Sequence, residues 1–315
     1  MIFKIDDNIF AQNNPPQIAE LLSVIIKHNH YIDCATPRVN EKIIRTINAH
    51  GSTYDKELLL LYRRFSIDDY HRNLLTAIDA NDFSYAQLEI LAGKEAVLLP
   101  ENTFEWMVYK HIIKSYIHNP NVSEVAMVLE EAIDKKLFVA KQIGGNGQVR
   151  AQVAHLAETE YDGATMPFKC CVIIDRDVPS DYDASGNWNM PPCLDSTFLF
   201  LSGKRSSAIV QRDIYSVEQP IFHWHMWYKR AIENYFPDRA FLNIGCNWKS
   251  TVTVLDRDYQ LIDRKTMAHY DKHDIGHLTE VMGWRDYNSN LKQFPHNGVM
   301  YTELELLLFK LCKII

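Results

Sequence analysis

The stretch KCCVIIDRD, residues 169–177, contains an unbroken apolar run that ends in two aspartates. Continuous apolar runs of this length are typical of strands that are buried on both faces in a parallel sheet. Further short apolar runs lie at 96–100, 136–143 and 197–201, and most of the segments between them have helical periodicity. This alternation of strand and helix predicts an α/β fold, with a mostly parallel sheet flanked by helices.

The first ninety or so residues have a different pattern. Apolar residues recur at helical spacing in IAELLSVIIKH (18–28), VNEKIIRTINAH (39–50) and YDKELLLLYRRF (54–65), which predicts helices that pack as a bundle. We therefore expect a helical N-terminal region at 1–94, used for partner docking or for dimerisation.

We expect the α/β core to occupy 95–245, followed by a mixed extension at 246–315 that packs on it. In the core, WHMWYKRAIENYF (224–236) has the pattern of a helix. In the extension, TVTVL (251–255) resembles a strand, and YTELELLLFKLCKII (301–315) predicts a closing amphipathic helix.

Composition excludes several classes of protein. The 33 basic and 40 acidic residues give a net charge of −7, which excludes a protein that coats nucleic acid through bulk positive charge. The six cysteines form neither a CxxC pair nor a regular framework, and the start MIFKIDDNIF lacks a signal-peptide pattern. No apolar run reaches the roughly 18 residues of a membrane span. We expect a soluble cytoplasmic protein with reduced thiols and no membrane partner.

Asp175 and Asp177 are the strongest candidates for a functional site. They follow a buried strand at positions i and i+2, and functional groups gather beyond the carboxyl ends of parallel strands. Two carboxylates this close repel each other and favour a cation between them, and oxygen ligands favour Mg²⁺ or Mn²⁺. The alternative is a pair of solvated acids in a loop.

Two other segments contribute acids. Glu101 follows the short strand at 96–100, and Glu105 lies four residues later on the same face of the next helix. Acids also suit a helix N-terminus for dipole reasons alone, which is the alternative here. Glu233 lies in YKRAIENYF (228–236), which by itself is an amphipathic helix with aromatic residues that pack inward.

In chain order, these segments resemble the TOPRIM domain of OLD-family nucleases and the related single-domain effectors of phage defence. The family's strand ending in Asp-x-Asp is matched by IIDRD (173–177), and its basic segment followed by I-E-N-Y is matched by KRAIENY (229–235). Its Glu-Gly motif is matched more loosely by ENTFE (101–105), where Asn102 replaces the glycine. The resemblance extends over about residues 95–240.

The resemblance implies a metal-dependent endonuclease that cleaves phosphodiester bonds of DNA or tRNA, acting as a toxin-like effector in bacterial antiphage defence. It implies two Mg²⁺ or Mn²⁺ ions, one activating water and one stabilising the leaving oxygen. The implied ligands are Glu101, Glu105, Asp175, Asp177 and Glu233. Lys229 or Arg230 would offset charge that develops on the phosphate.

Basic residues that flank these motifs are candidates for binding the nucleic acid backbone. They are Lys141, Arg150, Lys204, Arg205, Arg212 and Arg230. Ordinary solvated charges are the alternative for each of them.

No Walker A motif is present, although OLD proteins usually carry an ATPase on the same chain. We therefore expect a separate ATPase or an inhibitory partner protein, with a homodimer as the other use of the N-terminal helices. A catalytically silent binding subunit of a larger defence assembly and a phosphoryl- or nucleotidyltransferase are the rival functions. Whether the His- and Asp-rich segment 269–277 binds a metal is left open by the sequence, as is a second Asp-Arg-Asp at 256–258.

Overall fold

The computed structural model describes most of the regions that the sequence singles out. The described residues are 1–62, 74–145, 148–161, 169–175, 197–199, 221–227, 231–245, 272–289, 291 and 293–315. The predicted strand at 251–255 and the second Asp-Arg-Asp at 256–258 lie outside them. None of the helices in these ranges combines the length and the hydropathy that a bilayer span requires.

The N-terminal region contains the predicted helices, but they pack with a three-stranded parallel sheet that the sequence analysis missed. The strands are β1 (Ile2–Ile5), β2 (Tyr31–Cys34) and β3 (Ala77–Asp79), in the order β2-β1-β3. The helices are α1 (Asp7–Gln12), α2 (Pro15–Lys27), α3 (Pro37–His50), α4 (Thr53–Tyr62) and α5 (Tyr85–Gly93). The expectation of a purely helical bundle was wrong because strands of three or four residues are too short to show a periodicity.

The two longest N-terminal helices begin with the same local signal. Asn14 and Thr36 are N-caps whose side chains accept hydrogen bonds from the backbone of the first turn, and each is followed directly by a proline. Proline at the first helical position has no N–H to leave unsatisfied, and its fixed φ suits a helix. The two helices therefore begin at Pro15 and Pro37, slightly before the ranges that apolar spacing predicted.

A five-stranded sheet follows, and it confirms the predicted α/β class. Its strands are β4 (Ala96–Leu99), β5 (Phe138–Ala140), β6 (Cys170–Ile174), β7 (Thr197–Leu199) and β8 (Ile221–Met226). The order is β5-β4-β6-β8-β7, and all pairs are parallel except the edge pair β7–β8. Every residue of β4 and β6 is buried, as expected for a parallel sheet that is covered on both faces.

Two hydrophobic cores cover the faces of this sheet. Val97, Leu99 and Val172 face one core, which also contains α8 (Val149–Glu160) and the N-terminal helices. Leu98 and Ile173 face the other, which contains α6 (Glu105–Tyr116) and α7 (Ser123–Asp134). Successive strand residues thus point into opposite cores, which explains why the strands read as unbroken apolar runs.

The C-terminal residues close the second core. The helical elements are a 3₁₀ segment (Lys272–Thr279), α10 (Trp284–Asn288) and α11 (Glu303–Cys312). The hairpin strands β9 (Gln293–His296) and β10 (Val299–Thr302) are joined by Asn297 and Gly298, whose φ values of 49° and 79° suit a tight two-residue turn. The predicted closing helix is confirmed as α11, and Thr302 and Glu305 form its capping box.

The helix predicted at 224–236 is wrong in its described parts. Residues up to Met226 belong to strand β8, and Ile232–Tyr235 form a 3₁₀ segment that is followed by α9 (Asp238–Asn243). Phe and Trp favour strands as strongly as they fit the apolar face of a helix, so the spacing of aromatic residues misled the prediction. The IENY residues are therefore placed by a short turn after the sheet.

Candidate metal centre at the carboxyl edge of the sheet

Three of the predicted acidic motifs meet at one edge of the central sheet. Strands β4, β6 and β8 are neighbours and parallel, so their carboxyl ends lie side by side. Glu101 follows β4 after one proline, and Asp175 follows β6 directly. The backbone N–H of Trp227 donates to the Ile174 carbonyl at 3.2 Å, which continues the ladder one step beyond β8. This is the edge at which ligands bind in open α/β sheets.

Asp175 is held by the strand that precedes it. The residue is only 2% exposed, although it is a carboxylate at the end of an apolar run. Burial of a carboxylate is costly unless it is paired, hydrogen-bonded or bound to a metal. Asp175 therefore forms a buried polar site at the carboxyl end of β6.

Glu101 and Glu105 flank a turn that Asn102 organises. The side-chain oxygen of Asn102 accepts a hydrogen bond from the Phe104 N–H at 2.9 Å, and its carbonyl accepts one from the Glu105 N–H at 3.2 Å. Asn102 has no positive φ, so the backbone here does not require the glycine of the family motif. Asn102 instead acts as a cap for the turn that leads into α6.

Glu105 is buried in the first turn of α6 and is held by Tyr109. The Tyr109 hydroxyl donates to Glu105 Oε2 at 3.2 Å, and Glu105 is 3% exposed. Burial raises the pKa of Tyr109 well above its usual value, and the negative charges of Glu105, Asp175 and Glu233 raise the pKa further. Glu105 thus contacts the phenol directly, and the charges of Asp175 and Glu233 act on it from two other segments.

Aromatic stacking connects the end of β8 to this group. The rings of Tyr109 and Trp227 stack with centroids 6.0 Å apart and an interplanar angle of 11°. The ring centroids of Trp227 and Tyr235 are 4.8 Å apart. Glu233 lies on the same 3₁₀ segment as Tyr235 and is 2% exposed. The rings of Trp227 and Tyr235 are therefore buried together with Glu233.

A buried hydrogen-bond network, which the sequence did not reveal, stabilises the 3₁₀ segment that carries Glu233. Glu303 accepts hydrogen bonds from the Tyr235 hydroxyl and from His225 Nε2, the latter at 3.1 Å. Burial lowers the pKa of His225, so the ring is neutral and donates its Nε2–H to the carboxylate. Lys310 Nζ donates to the Trp224 carbonyl at 2.9 Å. The only signal in the sequence was the presence of charged residues in the otherwise apolar helix α11.

The donor set fits a hard divalent cation. Oxygen ligands from carboxylates are those that Mg²⁺ and Mn²⁺ prefer. Glu101 Oε2 is buried, and no described residue forms a hydrogen bond to it, so this oxygen has a ligand position to fill. Among the described residues, no group of three or more His, Cys, Asp or Glu side chains is placed so that it could hold a metal ion. Asp177, the remaining predicted ligand, lies outside those residues.

The predicted basic residues are only partly described. Lys141 directly follows β5, at the same edge of the sheet, and its Nζ contacts Glu160 Oε1 at 2.6 Å. Arg150 belongs to α8, but its side chain is outside the described part. The other predicted basic residues also lie outside it, namely Lys204, Arg205, Arg212, Lys229 and Arg230. Binding of the nucleic acid backbone by these basic residues thus remains a prediction.

The His-rich segment is placed only from residue 272 onward. Lys272–Thr279 is a 3₁₀ segment, in which residues four apart are separated by about 120° around the axis. The α-helix that the predicted zinc pair would need is therefore not formed in this segment, and the side chain of His273 lies outside the described part. His277 Nδ1 instead contacts Glu280 Oε1 at 2.5 Å.

Comparison with known proteins adds nothing to this description of the site. No family model, curated protein or solved structure matches the chain.

Proposed function

We propose that the protein is a Mg²⁺- or Mn²⁺-dependent endonuclease that hydrolyses phosphodiester bonds of DNA or tRNA. The observation that carries this proposal is the burial of three predicted acids, Glu105, Asp175 and Glu233, in segments that follow neighbouring parallel strands at one edge of the sheet. Carboxylates from separate elements that share one buried site are the usual ligands of ions that act on phosphate esters.

Different residues of the chain would bind the metal ions, position the ligands and bind the phosphate backbone. Asp175, Glu101 and Glu105 would hold the ions, which when bound supply an activated water and offset the charge that develops on the phosphate. Tyr109 restrains Glu105, and the ring of Tyr109 stacks on that of Trp227. Lys229 and Arg230, which follow β8 in the sequence, would bind the phosphate backbone.

The biological setting is proposed from the resemblance to OLD-family effectors. We propose a toxin-like role in antiphage defence, with an ATPase or an inhibitory protein on another chain. A non-catalytic binding subunit is the second candidate. The sequence leaves it open because Asn102 replaces the glycine of the family motif, although the backbone at Asn102 has no positive φ that would require glycine.

A cleavage assay separates the two candidates. Wild type is incubated with plasmid DNA and with tRNA, in Mg²⁺, in Mn²⁺ and in EDTA, alongside Asp175→Ala and Asp134→Ala. Asp134 is an exposed carboxylate at the end of α7, so its loss controls for the removal of one negative charge. We expect metal-dependent cleavage by wild type and the control, and none by Asp175→Ala. Equal cleavage by all three proteins would contradict the assignment of Asp175.

A further inference from the structure

A second polar site lies at the opposite edge of the central sheet. Lys169 directly precedes β6, whereas Asp175 directly follows it, so the two are about 20 Å apart along the strand. A cavity of about 70 Å³ lies against Lys169, larger than the roughly 30 Å³ that one water molecule occupies. Its wall includes polar groups and apolar side chains, among them Met1, His28, His30, Leu137, Lys169 and Ile315.

His30 lies between two amines at this cavity. Its Nδ1 is 3.2 Å from the Met1 nitrogen, and its Nε2 is 3.2 Å from Lys169 Nζ. Each amine also donates to a backbone carbonyl: Met1 to Ile315, and Lys169 to Lys94 at 2.5 Å. His30 is 3% exposed and Lys169 2% exposed, so these contacts are shielded from solvent.

The hydrogen-bonding capacity of the imidazole limits how many protons this group carries. A neutral imidazole donates from one ring nitrogen and accepts at the other, whereas an ammonium group only donates. Two ammonium groups would require His30 to accept at both nitrogens, which a neutral ring cannot do. A doubly protonated ring would in turn require both amines to be neutral. At least one amine therefore carries a lone pair.

The surroundings favour a neutral Lys169. Burial lowers its pKa to about 7, and the one nearby carboxylate that opposes this shift is Glu95. Burial also lowers the pKa of His30 and of the Met1 amine, so the neutral forms are favoured throughout this group. An ordinary lysine, with a pKa near 10.4, has fewer than about one neutral amine in 1,000 at pH 7. Desolvation beside other cationic groups is a known way to activate a lysine as a nucleophile.

We propose that Lys169 is a carbonyl-reactive lysine, and that the cavity admits a short, uncharged aldehyde or ketone. The Nζ lone pair attacks the carbonyl carbon, and a proton from nitrogen passes to the carbonyl oxygen to give a carbinolamine. The hydroxyl leaves as water after it takes the Nε2 proton of His30, and Nε2 takes the second proton of Nζ in return. This leaves an imine and a neutral ring, so no oxidant or reductant is needed. His30 Nε2 lies 3.2 Å from Nζ, within reach of both transfers.

Reductive trapping of the imine tests this proposal. The full chain is treated with propionaldehyde and sodium cyanoborohydride at pH 7, and the initial rate of alkylation at each amine is followed by peptide mass spectrometry. Lys114 is the internal reference because it is an exposed lysine on α6. We expect Lys169 to react at least tenfold faster than Lys114. A rate no greater than that of Lys114, or an adduct on the Met1 amine instead of Lys169, would overturn the proposal.

The pH dependence of the wild-type reaction is a second readout that needs no variant. The charged or titratable groups around Lys169 are the Met1 amine, His28, His30, Glu95 and Glu131. Above about pH 8 the neutral fraction of Lys169 is saturated, whereas that of an ordinary exposed lysine still rises about tenfold per pH unit. The ratio of the two rates should fall accordingly. A ratio that stays constant from pH 7 to pH 9 would show that Lys169 is an ordinary lysine.

The variant His30→Phe tests the role of the imidazole. It keeps a ring of similar size in the core but removes the N–H that faces Nζ. We expect the alkylation rate at Lys169 to fall at least tenfold, while Mn²⁺ binding at the opposite edge of the sheet stays at the wild-type level. Unchanged alkylation in a folded variant would remove His30 from the proposal. The wild-type experiments decide the role of Lys169 even if the variant does not fold.

Discussion

The Tyr109 hydroxyl donates a hydrogen bond of 3.2 Å to Glu105 Oε2, one helical turn earlier on α6. The same phenol ring stacks on Trp227 beyond the end of β8. The Tyr109 side chain therefore connects the start of α6, which follows β4, to the end of β8, which lies two strands from β4 in the sheet. This connection fixes the position of Glu105 relative to Trp227 at the end of β8.

Replacement of Tyr109 by phenylalanine should weaken metal binding more than it weakens the fold. Loss of one buried hydrogen bond costs about 1 kcal/mol of unfolding free energy. Groups that orient a ligand typically change metal affinity about 10–100-fold when they are removed, and we expect a loss of Mn²⁺ affinity in that range. Calorimetry and urea unfolding measure the two effects. Tyr54→Phe is the matched control, because Tyr54 is 54% exposed. Wild-type Mn²⁺ affinity in Tyr109→Phe would contradict this role.

Asn102 should contribute as a cap and not through a metal contact. Asn102→Ala removes the acceptor for the Phe104 N–H and should lower the unfolding free energy by about 1 kcal/mol, whereas Asn102→Gly should lower it by only a few tenths. Thermal unfolding of both variants measures this difference. The cap also places Glu101 and Glu105, so cleavage should fall with stability in the alanine variant. Equal stability of the two variants would show that the cap contributes little.

Glu303 should stabilise the segment that carries Glu233. In Glu303→Gln one of the two hydrogen bonds, from Tyr235 or from His225, loses its acceptor, which should cost about 1–3 kcal/mol. We also expect weaker Mn²⁺ binding, because Glu233 and Tyr235 share one turn. Glu124→Gln, at an exposed site on α7, is the control for the change of charge. If both glutamine variants unfold like wild type, Glu303 has no such role.

Lys169 should make stability depend on pH between 7 and 9. Its pKa is about 7 in the folded protein and near 10.4 in an unfolded chain, so in this range the unfolded state binds more protons. Stability therefore rises with pH there, by about 1 kcal/mol per unit for this group. In urea unfolding at pH 7, 8 and 9, the unfolding free energy of wild type should rise with pH relative to that of Lys169→Met. It should show no such rise relative to that of Lys114→Met. The absence of a trend against Lys169→Met would indicate a lysine that stays charged in the folded protein, because both states would then be protonated throughout this range.

The sequence indicated the central sheet because its strands are buried on both faces. The run before Asp175 has no polar residue to interrupt it, and burial of all five strand residues follows from that pattern. The strands of the N-terminal sheet were missed because Ile2–Ile5, Tyr31–Cys34 and Ala77–Asp79 are too short to show alternation. The parallel pairing of these strands joins segments that are far apart in the chain, and such pairing cannot be predicted from local periodicity.

The site was predictable in its acids but not in its supports. Glu101, Glu105 and Asp175 each follow a strand of the sheet, so their convergence follows from parallel topology alone. Tyr109 and Glu303 could not be identified in the same way. An aromatic residue on an apolar helix face and a glutamate at a helix start are common features, and only tertiary contacts give them a role.

Calorimetric titration of Mn²⁺ tests the central claim most directly. Wild type, the double variant Asp175→Ala/Asp177→Ala and the surface control Asp134→Ala are titrated under the same conditions, and each is checked for cooperative thermal unfolding. We predict saturable binding by wild type and the control, and a loss of affinity of at least about 100-fold in the folded double variant. Equal Mn²⁺ affinity in all three proteins would contradict a metal centre at the carboxyl edge of the sheet.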